Sequence, residues 1–177
     1  NRVPFPTNSV THASLMTAAG YATAYIGKWH MGGQTGQRPG FSYSASFIGQ
    51  GRYWNCPFEI NGQPTPTTGW VDDVSTDYAI QFIKAHKDQP FSVVVGFKSP
   101  HGPNEPPDRA KDRFADATAR PVPNLGVPAI YRAGTQIPPG EAKAFAPTTS
   151  PNYFRTISAA DDNLGRLLKA LDDLGLA

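Results

Sequence analysis

The sequence has only one cysteine, Cys56, among its 177 residues. A single cysteine excludes an internal disulfide framework and a zinc site built from several cysteines. The net charge is also small, +2, because 16 basic residues are nearly balanced by 14 acidic ones. Neither nucleic acid nor a membrane surface is therefore predicted as a partner. No apolar run is long enough to cross a bilayer. The length suits one globular domain with its own core.

Proline and glycine are present in ordinary amounts, 18 and 17 residues, but they are unevenly placed. They concentrate in residues 38–69 and 100–151, which are therefore predicted to be long irregular loops. Loops of this length inside a compact domain are usually functional or disordered.

Hydrophobic spacing and terminal signals predict three helices and two strands. The helices are expected over residues 7–19, 70–87 and 152–174. The last of them carries an apolar stripe that includes Phe154, Ile157, Leu164, Leu167, Leu168, Leu171 and Leu174. The strands are expected in ATAYIG, residues 22–27, and in PFSVVVGF, residues 90–97.

The alternation of helix and strand predicts an α/β layered fold with a mostly parallel sheet. Two strands are too few for such a sheet. Either further strands lie within the predicted loops, or the chain is part of a larger domain.

A lysine and a histidine follow each predicted strand. If the first strand continues, alternation places Lys28 and His30 on one face and Trp29 on the other, where it can pack. Lys98 and His101 follow the second strand. Because ligands of open α/β sheets bind at the carboxyl ends of the strands, these side chains predict one shared anion site. The alternative is that they are ordinary solvated loop residues.

Two common phosphate-binding motifs do not fit this sequence. A P-loop would need glycine where Ala22 stands and serine or threonine where Trp29 stands. A Rossmann glycine fingerprint is also absent.

The segment GYATAYIGKWHMG resembles the second signature of the sulfatase family. The matching residues are Gly20, Tyr21, Thr23, Gly27, Lys28, Trp29 and His30. The segments DYAIQFIKAHKDQPFSVVVGFKSPHGP and YFRTISAADDNLGRLLKALDDLGL resemble the next two family blocks, in family order, so the resemblance covers nearly the whole chain.

The resemblance implies an alkaline-phosphatase-like α/β sandwich that hydrolyses sulfate esters of small molecules or glycans. It also implies a formylglycine nucleophile and a calcium ion. By that likeness Lys28 would bind the sulfate group, His30 would help to expel sulfate, and His101 would protonate or stabilise the leaving alcohol. Lys98, which precedes the matched Pro-His pair, could touch the substrate. The residue types agree with this chemistry, because a fixed ammonium suits an anionic ester and histidine titrates near neutral pH.

Two parts of the family pattern have no match in this sequence. No Cys/Ser-x-Pro-Ser-Arg motif is present, and Cys56, followed by Pro57 and Phe58, is read as a half-buried loop thiol. The family's metal motifs are also unmatched. The resemblance therefore implies that residues 1–177 are the central part of a single sulfatase catalytic domain, truncated at both ends and inactive alone. Its calcium ligands and nucleophile would lie outside the chain.

Other readings stay open at this point. A phosphodiesterase or phosphonate ester hydrolase of the same superfamily is one alternative, and a non-catalytic anion-binding remnant is another. Two acidic residues of the last helix, Asp161 and Asp162, are expected to be structural or solvated rather than metal ligands. Asp72, Asp73 and Asp77 are expected to be helix-start and surface charges. Four loop residues are candidate contacts to a sugar or aryl group: Tyr53, Trp54, Asn55 and Asn104.

Overall fold

The computed structural model describes residues 3–117 and 151–177. In chain order the elements are α1 (His12–Ala18), β1 (Ala22–Trp29), β2 (Tyr43–Ile48), β3 (Phe58–Ile60), β4 (Gln63–Thr65), α2 (Val71–Ala85), β5 (Phe91–Gly96), a 3-10 turn (Asp108–Ala110) and α3 (Pro151–Asp173). The strands form one sheet in the order β4-β3-β2-β1-β5. The predicted α/β class is confirmed, and the sheet is mixed.

Strand β1 lies between two parallel neighbours, β2 and β5. Its side chains alternate between the two faces, as strand geometry requires. Ala24 and Ile26 join the core cluster with Val71 of α2, whereas the Tyr25 ring meets the Trp29 ring with centroids 4.9 Å apart. Lys28 therefore emerges on the face covered by α2.

Gly27 is required by its surroundings in the middle of β1. Its φ is +93°, and a Cβ there would lie 2.1 Å from the carbonyl oxygen of Gly96. Both the backbone conformation and the close approach of β5 favour glycine at this position.

The prediction that residues 38–69 form an irregular loop was wrong in part, because β2, β3 and β4 lie there. Strand β2 pairs in parallel with β1, and β3 and β4 extend the sheet as antiparallel strands. Asn61 and Gly62 connect β3 to β4 with φ values of +49° and +83°, the residue types favoured in a tight hairpin turn. The sequence analysis allowed for further strands within the predicted loops, and the structure contains them.

Helix α1 is shorter than predicted, and its beginning has a clear cause. The Thr11 hydroxyl accepts from the backbone N–H of Ser14, and the Ser14 hydroxyl accepts from the backbone N–H of Thr11. This capping box satisfies N–H groups that have no partner within the helix, so α1 starts at His12 rather than at residue 7. Helices α2 and α3 agree with their predicted bounds to within two residues.

The apolar stripe predicted for α3 is turned inward only in part, and its Leu167 packs against the core. Ile157, Leu164 and Leu168 are exposed, whereas the buried positions are the small or polar residues Thr156, Ala159, Asn163 and Ala170. Helix α3 packs on α2 and on the 3-10 turn, and polar contacts there, such as Asn163 Nδ2 to Asp73 Oδ1 at 2.7 Å, decide which side turns inward.

The core lies between the sheet and α2, and it includes Ile26, Phe47, Phe58, Trp70 and Phe82. Among the described helices none combines the length and the apolar character needed to cross a bilayer.

Candidate functional site

The carboxyl ends of β2, β1 and β5 meet at one edge of the sheet. In the register Trp29 lies beside Ile48, and Gly27 lies beside Gly96. The residues that follow these strand ends are therefore neighbours in space. Gln50 follows β2 by two residues and Lys98 follows β5 by two residues.

Gln50 connects three of the residues predicted from the sequence. Lys28 Nζ donates to Gln50 Oε1 at 2.6 Å, and Gln50 Nε2 lies 3.0 Å from His30 Nε2. Lys98 Nζ donates to the backbone carbonyl of Gln50 at 3.0 Å. The structure thus brings Lys28, His30 and Lys98 together.

Among the described residues, no carboxylate forms a salt bridge with either ammonium group of this cluster. Lys98 is only 3% exposed, and its Nζ lies 4.8 Å from the centre of the Tyr53 ring. Within residues 3–117 and 151–177, neither Lys28 nor Lys98 forms a salt bridge. Burial and the charge of Lys98 lower the pKa of Lys28, and burial lowers the pKa of Lys98 although Asp72 opposes that change.

The prediction that Asp72 is a surface charge was wrong. It is fully buried, and its carboxylate accepts from the backbone N–H of Lys98 at 2.7 Å and of Ser99 at 3.1 Å. Burial raises the pKa of Asp72, although these two hydrogen bonds act in the opposite direction. The carboxylate therefore holds the backbone that carries Lys98 and leaves the lysine ammonium to face Gln50.

His101 lies in the turn after β5 and is exposed. Its Nδ1 lies 2.7 Å from the carbonyl oxygen of Gly102, and its own carbonyl accepts from the Tyr53 hydroxyl at 2.8 Å. Because a carbonyl oxygen can only accept, Nδ1 carries a proton, and Nε2 is the nitrogen left free for substrate chemistry.

His30 is half-buried, and the charge of the neighbouring Lys28 acts on its imidazole ring. Desolvation, then the nearby charges of Lys28 and His101, lower the pKa of His30.

Three of the remaining sequence candidates, Trp29, Tyr53 and Asn55, have structural contacts, whereas Trp54 is exposed. Trp29 is buried, as predicted, and donates to Gln34 Oε1 at 3.1 Å. Tyr53 is buried and stacks on Trp70, and Asn55 Oδ1 accepts from Gly69 N–H at 2.9 Å. Cys56 is buried, so the prediction of a half-buried thiol was wrong in degree.

Three of the acidic helix residues weighed in the sequence analysis, Asp73, Asp77 and Asp162, pair with arginines. Arg109 bridges Asp73 and Asp162, Arg113 also pairs with Asp162, and Arg166 pairs with Asp77. In the described part of the chain, no group of three or more histidine, cysteine, aspartate or glutamate side chains could hold a metal ion.

A sequence model of the sulfatase family matches residues 3–177. The chain belongs to the sulfatase family. Among curated sulfatases, the ulvan-active sulfatase of Formosa agariphila is 29% identical over 192 residues, which cover 99% of this chain and 34% of that protein. The N-acetylglucosamine-6-O-sulfatase of Bacteroides thetaiotaomicron is 33% identical over 105 residues, or 57% of this chain and 18% of that protein. The chain thus spans about a third of the first relative and less than a fifth of the second.

Solved structures show the same sulfatase fold. BT4656, in complex with its substrate D-glucosamine-2-N,6-O-disulfate, has a TM-score of 0.75 at 23% identity, over 98% of this chain and 48% of that one. Ps i-CgsB, in complex with k-i-k-neocarrahexaose, has a TM-score of 0.75 at 20% identity, over 99% of this chain and 39% of that one. These likenesses confirm the predicted alkaline-phosphatase-like α/β fold.

Sequence reasoning missed Gln50, Tyr53 as a support for His101, and the buried role of Asp72. Gln50 stands in a Gly-Gln-Gly segment at the carboxyl end of a strand that was itself not predicted. Had β2 been recognised, its position beside the end of β1 would have indicated Gln50.

Proposed function

We propose that this sulfatase-family chain forms the part of an active site that binds the sulfate group and assists the leaving alcohol in the hydrolysis of sulfate monoesters. Lys28 and Lys98 bind the sulfate oxygens, and His30 and His101 move protons. The observation that supports the proposal is the pair of ammonium groups at the edge of the sheet, neither of which forms a salt bridge with a described residue.

Burial of a charge costs free energy unless an opposite charge or good hydrogen bonds compensate it. Lys98 is buried, yet its hydrogen-bond acceptor is a neutral carbonyl oxygen. Lys28 likewise meets a neutral carboxamide oxygen. A monoanionic sulfate ester, or free dianionic sulfate, placed between them would supply a counter-charge, which is why we assign an anionic group to this position.

His101 has the arrangement that a proton donor to the leaving group needs. Its Nδ1 proton is held by Gly102 O and the residue is exposed, so a second proton on Nε2 would be available to the departing alcohol. A sugar alkoxide is a strong base, and a positioned imidazolium that protonates it lowers the barrier.

Neither the nucleophile nor a metal site is found in the residues described above. We propose that a formylglycine nucleophile and calcium ligands lie outside this chain, where they would supply attack on sulfur and charge stabilisation. The donor set here does not fit calcium, because the site gathers ammonium and imidazole groups, whereas calcium takes oxygen ligands.

The substrate class is proposed from the relatives. The ulvan-active sulfatase and the N-acetylglucosamine-6-O-sulfatase bear the names of sulfated sugars or polymers, and BT4656 was solved with a sulfated glucosamine. We therefore propose a sulfated glycan or a related sugar or aryl sulfate.

Titration of sulfate into the 177-residue chain, followed by calorimetry or NMR, tests the anion site. Lys28→Ala should weaken sulfate binding about tenfold to a hundredfold, because a charge-assisted contact contributes about 1.5–3 kcal/mol. Binding should also weaken as the pH rises toward, but still below, the ordinary lysine value of 10.5, because the pKa values of Lys28 and Lys98 are lowered.

The matched control is Lys84→Ala, which removes an exposed lysine near the other end of α2. It removes the same formal charge but should leave sulfate affinity within about twofold, because exposed charges far from a site are screened. Equal losses in the two variants, or no loss in Lys28→Ala, would contradict the proposal.

A further inference from the structure

Gln50 is an exposed residue with polar contacts to three proposed site residues. Its carboxamide oxygen accepts from Lys28 Nζ, its amide nitrogen lies against His30 Nε2, and its backbone carbonyl accepts from Lys98 Nζ. The glycines on both sides, Gly49 and Gly51, have φ values of +63° and +58°. Neither the family resemblance nor the sequence pattern assigns a role to this residue.

The chemistry of the partners fixes the direction of each hydrogen bond. An ammonium can only donate, so the Gln50 atom that lies 2.6 Å from Lys28 Nζ is the carboxamide oxygen. The atom that faces His30 is then the amide NH2, which has no lone pair to offer. His30 Nε2, at 3.0 Å, must therefore accept.

This assignment determines where the proton of neutral His30 resides. If Nε2 accepts, the ring proton is on Nδ1. A hydrogen bond donated to the neutral imidazole also favours the uncharged form, in the same direction as the charge of Lys28. Acceptance from the ammonium polarises the carboxamide and strengthens its N–H as a donor, so the two contacts reinforce each other.

Resting on the proposed function, we infer that Gln50 is a positioning residue for the sulfate site. It holds His30 as the neutral Nδ1–H tautomer, with its basic nitrogen beside the ammonium of Lys28, before the substrate arrives. The backbone bond from buried Lys98 anchors Gln50 in this place. Because the Gln50 side chain is exposed, an entering sulfate ester can reach the groups that it aligns.

The test is the ¹⁵N NMR pattern of the histidine rings in the 177-residue chain, recorded without added anion at a pH above the ordinary histidine pKa. The expected result is a His30 ring protonated on Nδ1 and not on Nε2. His86 is an internal control, because its Nδ1 lies 2.8 Å from the Phe82 carbonyl oxygen and its pattern should not depend on Gln50.

Two variants separate the contacts of Gln50. Gln50→Glu keeps an acceptor for Lys28 but replaces the donor that faces His30, so the single-tautomer pattern should be lost and the pKa of His30 should rise. Gln50→Met keeps a similar volume, removes both side-chain contacts, and should also lose the pattern. In both variants His86 should be unchanged, which reports that the fold is retained.

A wild-type His30 ring that carries its proton on Nε2 would overturn the inference, and this measurement needs no variant. An unchanged His30 pattern in Gln50→Glu would overturn it as well. Because neither sulfate nor turnover enters the experiment, its outcome is independent of the sulfate titration. If the chain fails to bind sulfate but shows the Gln50-dependent tautomer, the Gln50–His30 contact is supported and the proposed function is contradicted.

Discussion

Two clusters of buried positive charge lie on opposite faces of the same sheet edge, and they are built differently. Arg38 is fully buried, and its guanidinium donates to Glu59 Oε2 at 2.8 Å, to Ser46 Oγ at 2.6 Å and to Gln34 O at 2.9 Å. Lys98 is almost as buried, but its ammonium meets a backbone carbonyl and the face of an aromatic ring. One cation has a carboxylate partner and the other has none within the described residues.

The difference indicates which cluster is structural and which can bind a ligand. A buried charge with a complete set of partners fixes the packing of its surroundings and has no further need of an anion. A buried or half-buried cation without a carboxylate in contact gains from an anion that enters. The closed Arg38 network supports the Trp29 side of β1, and the open lysine cluster faces the proposed substrate.

The largest expected effect comes from opening the closed network. Glu59→Gln should lower the free energy of unfolding by roughly 3–5 kcal/mol, because it leaves the Arg38 charge buried without its counter-ion. Urea denaturation measures this loss. The control Asp173→Asn removes one partner of the exposed Lys169–Asp173 pair and should cost about 1 kcal/mol or less. Similar costs for both variants would mean that the Arg38 pair contributes no more than a surface pair.

A second prediction concerns the catalytic side of the open cluster. In an active enzyme that contains this chain, His101→Ala should lower kcat about a hundredfold or more on a sugar sulfate, because general acid catalysis contributes roughly that amount. The loss should be much smaller on an activated aryl sulfate, whose phenolate needs little protonation. Rate measurements under conditions where S–O cleavage limits turnover decide it, and equal losses on both substrates would reject the leaving-group role.

The smallest expected change in stability is that for replacing Lys98, the buried cation of the open cluster. Lys98→Met should change the free energy of unfolding by about 1 kcal/mol or less, or raise it, because replacing a buried ionic group by an apolar one of similar length is often neutral or stabilising. The same variant should lose sulfate affinity in the titration. A loss of stability as large as that expected for Glu59→Gln would show that Lys98 is a structural cation like Arg38.

The sequence was sufficient for the class of fold and for the lysines and histidines at the strand ends. Lys28, Trp29 and His30 follow a buried apolar strand, and strand alternation alone separates the tryptophan from its neighbours. Their spacing is local, so it can be read without knowledge of the fold.

The missed features depend on contacts between distant segments. Strand β2, with the sequence YSASFI, has small polar residues at Ser44 and Ser46 that are fully buried, because Ser46 serves Arg38 and Ser44 pairs with Asn61 and Gln37. Asp72 has the ordinary position of a helix-start acid, and only the packing of β5 beside α2 buries it. No local pattern of hydrophobicity reports either contact.

Gly27 and Lys28 are adjacent residues, but folding constrains the first and the proposed sulfate binding constrains the second. A side chain at position 27 would collide with the backbone of Gly96, so a library of all substitutions there should leave only glycine among the correctly folded, protease-resistant clones. At position 28 the side chain leaves the packed sheet toward Gln50, and many substitutions should pass the same selection and fail only when sulfate binding is scored. A mutational scan of this one strand would thus separate residues retained for folding from residues retained for chemistry, one position apart.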